Sequence, residues 1–263
     1  MKKILGVLLV LMVAAASFGS VFAATSIPGG PFASSLQIQN LGATTANVSV
    51  QYIDPMGNPA HTTTHTIAAG DVLSIYVPAE AALASGEYSV VVSADQEIAA
   101  VTNFSDADSG AAYSGANAGA MSWGFPGVYD NYYGYYSEIY AQNVAPAAQD
   151  ITLKVFAPGN ATPVYENTKT AVPAYSSVNW SLKDLTQLAK NVSYSATVTA
   201  AGNLVAIGNT YGSGATAAQL YSYNGFPSGA NTFYVPALYK AYYGWNAAMS
   251  IQNVSAAAAA VTV

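Results

Sequence analysis

The sequence predicts an all-β protein made of two consecutive antiparallel β-sandwiches and the beginning of a third. Three observations carry this. Apolar and polar residues alternate with period two, as in Leu36-Gln37-Ile38-Gln39 and Val48-Ser49-Val50-Gln51, the pattern of strands buried on one face. The runs have strand length and are bounded by turn-formers such as Asp54-Pro55-Met56-Gly57-Asn58-Pro59 and Ala69-Gly70-Asp71. The chain also repeats itself at domain length: Gln-Asn pairs fall at 39/40, 142/143 and 252/253, steps of 103 and 110.

In chain order, Met1-Lys2-Lys3, an apolar run from Ile4 to about Ala16 and the small residues ending Ser20-Val21-Phe22-Ala23 read as a secretory signal peptide, residues 1–23. The apolar run is shorter than the ~20 residues of a bilayer span, so cleavage after Ala23 and export are expected, with no membrane insertion afterwards. Residues 24–34 form a Gly/Pro/Ser lead-in. The first repeat, 35–136, continues past those strands through Val72–Val77, Tyr88–Val92 and Ile98–Phe104.

The second repeat, 137–245, follows it. Ile151, Leu153 and Val155 answer Val48, Val50 and Tyr52, and Tyr194 to Asn209 answers Tyr88 to Asn103 at a step of 106. Gly225-Phe226-Pro227 answers Gly124-Phe125-Pro126 at a step of 101, which gives the second repeat nine more residues before its Tyr-Tyr-Gly. Leu182 to Lys190 reads as a short helical connection. Residues 246–263 hold about two strands, too few for a stable domain. They read as the start of an incomplete third repeat of a longer chain, or as a tail, Met249–Val263, that pairs with an open sheet edge of its own or of a neighbour. A truncated repeat is unlike a capping end, which favours the longer chain.

Composition sets the class of partner. There are seven lysines and no arginine; without the leader, five lysines face thirteen acids, a net charge of −8. Such a surface repels phosphate backbones, which excludes nucleic acid and anionic lipid. Only 8% of residues are charged, against roughly 25% in ordinary soluble domains. A surface rich in Tyr, Ser, Thr and Asn is weakly self-repelling and packs against copies of itself at little cost. With no cysteine, there is neither a disulfide framework nor a lipid attachment point, and each domain relies on its own core.

Candidate sites are few. His61 and His65 sit four residues apart in a strand, ~13 Å along it, too far to share one zinc. Asp106 and Asp108, with Asn103, Ser105 and Gly110 nearby, form a weak calcium candidate. The matching stretch Asn209–Gly214 carries no carboxylate, so a solvated turn is expected and no metal or cofactor is assigned. No nucleophile elbow, phosphate loop or paired carboxylate is present, so the chain is read as not an enzyme.

The dominant feature is aromatic: Trp123, Tyr132, Tyr133, Tyr135 and Tyr136 in one cluster, Tyr239, Tyr242, Tyr243 and Trp245 in the other. Exposed, these rings would stack on sugars or anchor an interface. Their place where one repeat hands over to the next favours packing that joins adjacent domains. Asn-X-Ser/Thr sequons, such as Asn47-Val48-Ser49 and Asn179-Trp180-Ser181, leave glycosylation open.

Tyr-Tyr-Gly-Trp-Asn followed by Ile-Gln-Asn-Val and Ala-Val-Thr-Val resembles secreted bacterial repeat proteins, in which immunoglobulin-like or fibronectin-like β-sandwich modules are strung behind a signal peptide. The resemblance covers nearly all of the mature chain and brings no catalytic residues. It implies a non-enzymatic extracellular or cell-surface structural or adhesive protein that binds copies of itself, cell-surface polysaccharide or protein. The alternative is a carbohydrate-binding or spacer portion of a secreted hydrolase whose catalytic domain lies elsewhere.

Overall fold

The computed structural model describes residues 31–213, 218–244, 246–255 and 257–262; the predicted leader lies outside them. Among the described residues fourteen strands follow one another: β1 (Ala33–Asn40), β2 (Ala46–Ile53), β3 (Pro59–Ile67), β4 (Val72–Tyr76), β5 (Ser89–Ala94), β6 (Ile98–Ser105), β7 (Gly110–Ser114), β8 (Ala120–Tyr132), β9 (Tyr135–Asn143), β10 (Gln149–Phe156), β11 (Tyr165–Val172), β12 (Ser177–Ser181), β13 (Val192–Ser213) and β14 (Ala218–Asn224). The all-β, antiparallel expectation holds. The predicted helix at Leu182–Lys190 is a single 3-10 turn, Leu182–Asp184, matched by Val77–Ala79 in the first copy.

The first module places β4-β1-β6-β7 in one sheet and β3-β2-β5 in the other. Alternate residues of both sheets, among them Leu36, Ile38, Val48, Val50, Tyr52, Ile67 and Ile75, meet in one core. This grouping differs from the ABED and CFG sheets of constant-type immunoglobulin domains, because β1 and β2, consecutive in the chain, lie in different sheets. The second module repeats it with one economy. β13 does the work of β5 and β6 together: its first half pairs with β10 and β8, and its second half, from Leu204, pairs with β9 and β14. Trp123, Phe125, Ile139, Leu153, Val155, Trp180 and Leu204 fill the core between the two halves.

The recurrent Gln-Asn pair is explained by its asparagine. Asn143 is fully buried at the end of β9. Its Nδ2 donates to the carbonyls of Ala147 (2.9 Å), Val172 (2.9 Å) and Pro173 (3.1 Å), and its Oδ1 accepts from Ala145 N (2.9 Å). Asn40, equally buried, repeats the set with Thr44, Ile67, Ala68 and Gly42 N. One amide thus ties the turn after the first strand to the loop after the third, closing backbone groups that burial would otherwise leave unpaired.

The structure moves one boundary. The sequence places β8 at the end of the first repeat, 35–136, yet this strand hydrogen-bonds along the first half of β13 and forms a hairpin with β9. It is the first strand of the second module. The copy of β8 is not Gly225-Phe226-Pro227 either. Gly225 N donates to Ala206 O (2.9 Å) as Gly115 N donates to Ala100 O (2.8 Å), so Gly225 is the counterpart of Gly115. A constant step of 110 then carries Trp123 to Phe233, Phe125 to Val235 and Tyr132 to Tyr242. Phe226 instead lies beside Gly124 in an isolated bridge.

The two modules meet in a small aromatic cluster. Phe104, Tyr113 and Phe32 of the first pack with Tyr211, Leu220 and Tyr136 of the second. Asn224 Nδ2 donates to Ser114 O (2.8 Å), and Ser89 Oγ to Tyr175 O (2.7 Å).

Candidate functional site

The aromatic residues singled out by sequence do not form one surface; the fold divides them among four environments. Trp123 is in the core of the second module, its Nε1 donating to Leu204 O (2.7 Å). Tyr136 is in the joint, stacked on Tyr211 at 5.7 Å. Tyr135 leans on Tyr221 and donates to Gln219. Tyr132 and Tyr133 form the tip of the β8–β9 hairpin, where Tyr129 stacks on Tyr132 (5.3 Å) and Tyr133 stands edge-on to it (4.8 Å). Tyr133 is 78% exposed.

The same tip occurs again. Tyr239 stacks on Tyr242 at 5.6 Å and Tyr243 stands edge-on at 4.7 Å, itself 87% exposed. Trp245 lies outside the described residues. Both tips hold the same unusual backbone: φ is 54°, 51° and 87° at Asn131, Tyr133 and Gly134, and 52°, 48° and 83° at Ala241, Tyr243 and Gly244. A left-handed tyrosine costs about 1–3 kcal/mol. Two copies of the same strained turn each present one exposed tyrosine ring, Tyr133 and Tyr243. Aromatic faces of this kind take sugar rings or a partner's apolar side chains.

Asp130 at the base of the first tip is fully buried and held by Lys190, whose Nζ lies 2.7 and 2.6 Å from its two oxygens. Burial raises the Asp130 carboxyl above its ordinary value, the lysine opposing. Lys190→Met leaves a buried carboxylate unpaired and is expected to lower stability by about 2–3 kcal/mol, below the full range for buried pairs because the lysine is half exposed. Chemical denaturation at pH 7 measures it.

Sequence reasoning missed a polar cluster in the joint. Glu138, in the middle of β9, is fully buried. Its Oε2 accepts from Tyr140 OH (3.1 Å), while Oε1, Ser181 Oγ and Tyr211 OH are buried without a partner of good geometry. Burial pushes its carboxyl up to about 7, against the hydrogen bond from Tyr140, and the nearby charge of Glu87 pushes the same way. Glu87, from the first module, is exposed at the rim of the joint, and partial desolvation there raises its carboxyl as well. The sequence signal was a lone acid in an alternating strand of a charge-poor chain; its counterparts are Ser35 and Ala248.

The remaining candidates are occupied locally. Asp106 Oδ1 accepts from Asp108 N (2.9 Å), Ser109 N (2.7 Å) and Ser109 Oγ (3.0 Å), and these bonds lower its pKa. Among the described residues no group of three His, Cys, Asp or Glu side chains is placed to hold a metal ion. His61 Nε2 lies 3.5 Å from Glu80, and His65 contacts Thr63 Oγ1 at 3.0 Å. Among the described residues no helix is long and apolar enough to cross a membrane.

No protein-family model matches the chain, and no curated protein does. A solved structure, the crystal structure of Thermotoga maritima 1070, aligns at 19% identity with a TM-score of 0.36, over 41% of this chain and 94% of that one.

Proposed function

We propose that the chain is a non-enzymatic structural or adhesive protein of the extracellular space or cell surface, built of repeated β-sandwich modules behind a signal peptide. The observation that carries this reading is the recurrence of one module plan, with its buried asparagine and its strained tyrosine tip, along a chain of low charge. Domain-length repetition spaces equivalent tips at a fixed distance, so that several weak contacts act together. The chain's partners are copies of itself, or polysaccharide or protein of the cell surface. Carbohydrate binding or spacing within a secreted hydrolase is the second reading, favoured by the exposed Tyr133 and Tyr243 rings.

A pull-down on cell-wall and plant polysaccharides, with immunoblotting of cell fractions, tests both. Retention in the outer fractions is expected. The double change Tyr133→Ala and Tyr243→Ala is expected to lower retention on whole cells about tenfold, the worth of one well-placed aromatic contact. Specific binding to one purified polysaccharide that disappears in this variant would transfer the assignment to the second reading. A protein confined to the cytoplasm would overturn both.

A further inference from the structure

The two modules differ at one sheet edge. In the second, β8 covers the outer edge of β13, and the core-facing Ala196 and Val198 beneath it are fully buried. Their counterparts on β5, Val90 and Val92, are only half-buried. Among the described residues β5 pairs with β2 alone. An edge of this kind presents a row of free N–H and C=O groups, a template for another strand. By the step of 103, the counterparts of β8 in the first copy are residues 17–29. Removal of the predicted leader after Ala23 takes away the first half of these, and with it both of their aromatic residues, Phe18 and Phe22.

The segment that fits the edge follows β14 and is not itself paired as a strand. Phe233, Val235 and Leu238 follow Trp123, Phe125 and Val128 at the step of 110. The earlier three are core residues, 4%, 0% and 1% exposed; the later three are 60%, 49% and 54% exposed. Their hairpin tip already has the bound shape, with the φ values and ring stacking of the β8–β9 tip. We infer that residues 233–240 of one copy of this chain add to the open edge of β5 in the first module of a second copy. This deepens the proposed function and rests on it, since it names the self-association such a surface protein would use.

The register follows from the second module, where Val128 faces Tyr194, Phe125 faces Ala196, Gly124 faces Thr197 and Trp123 faces Val198. Transferred, Leu238 faces Tyr88, Val235 faces Val90, Tyr234 faces Val91 and Phe233 faces Val92. Charge selects this pairing over its reverse. The second module holds an acid on the strand, Asp130, with a base from the domain, Lys190. The tail carries Lys240 in place of Asp130, and the first module offers Glu87 near the same corner, with Ala84 in place of Lys190. Main-chain bonds supply affinity in such strand addition, and the alternate side chains supply selectivity.

The chain has no cysteine, which makes cross-linking clean. The mature chain carrying Val91→Cys and Tyr234→Cys is oxidised at ~100 μM and run without reductant. A ladder of dimers and larger multimers is expected, collapsing on reduction. The off-register pair Val91→Cys with Lys240→Cys is expected to stay monomeric. Val235→Asp added to the first pair is expected to reduce the ladder at least tenfold without changing the thermal melt, because Val235 is exposed in the single chain. Lys240→Glu is expected to reduce it severalfold. Monomers alone, or an internal disulfide within one chain, would overturn the inference; either result would arise if strands of the same chain cover the edge or the tail. Cell fractionation of the same variants separates the two readings. A monomer on the cell surface overturns strand donation only, and a cytoplasmic monomer overturns the surface role as well.

Discussion

Asn143→Leu is expected to lower the stability of the second module by about 4 kcal/mol. Leucine keeps the branching, but its methyls cannot sit 2.9 to 3.1 Å from carbonyl oxygens, so the loss combines broken hydrogen bonds with crowding. Three carbonyls, of Ala147, Val172 and Pro173, and the N–H of Ala145 lose their partner in one step. Each buried group left unpaired costs about 1–3 kcal/mol, with relaxation of the loops recovering part. Asn143→Asp tests the cause. A carboxylate keeps the acceptor for Ala145 N but turns a negative oxygen towards three carbonyls, so the loss at pH 7 is expected to equal or exceed that of leucine. It is expected to shrink at pH 4, where a protonated carboxyl can donate one bond. Asn40→Leu is expected to do the same to the first module. Asn253, whose amide donates to Ala257 O and accepts from Ser255 but which is exposed, is expected to tolerate leucine within ~0.5 kcal/mol. Urea denaturation of the four variants checks the series. Equal effects at Asn143 and Asn253 would show that the clamp contributes nothing.

The clamp also shows what a repeat can reveal. The Gln-Asn recurrence was plain in the sequence, but its role was not. The carbonyls it closes, of Val172 and Pro173, lie two strands downstream and belong to a strand end and its loop. Alternation located the strands for a local reason: Leu36 and Ile38, or Ile151, Leu153 and Val155, declare their buried face without reference to any partner. β8 failed that reasoning. Its core residues Trp123, Phe125 and Val128 break the period of two where a bulge interrupts the pairing with β13, and four other strands separate it from that partner. Adjacency therefore assigned it to the wrong module. Gly225-Phe226-Pro227 misled in a second way, by matching three residues of β8 while occupying the place of Gly115. The aromatic clusters were legible as a composition and not as a site. Trp123 faces a core, Tyr136 a neighbouring module and Tyr133 solvent, and all three are aromatic for different reasons.

Glu138 was the least legible residue, since a glutamate on the polar face of a strand reads as solvated until the first module covers it. That burial makes the protein's stability depend on pH in an unusual direction. With a folded pKa of about 7 and an ordinary value of 4.5, the folded state holds a proton that the unfolded chain has released. Between these values the folded state binds more protons, so stability falls as pH rises. Below about pH 4.5 both states are protonated and nothing is lost; above about pH 7 both are ionised and the cost is complete. Two and a half pH units correspond to about 3 kcal/mol. Glu138→Gln keeps the shape and removes the charge. It is expected to match the parent at pH 4.5 and to exceed it by about 3 kcal/mol at pH 8. The cost falls on the joint before it falls on either module, because Tyr211 belongs to one and Glu87 to the other. Hydrogen exchange at β9 and at Tyr211 is therefore expected to quicken between pH 5 and pH 8 in the parent and to stay level in Glu138→Gln, once the intrinsic pH dependence of exchange is divided out. A parent whose stability rises over that range would mean that Glu138 is ionised and solvated in the folded protein, and that the modules do not close over it.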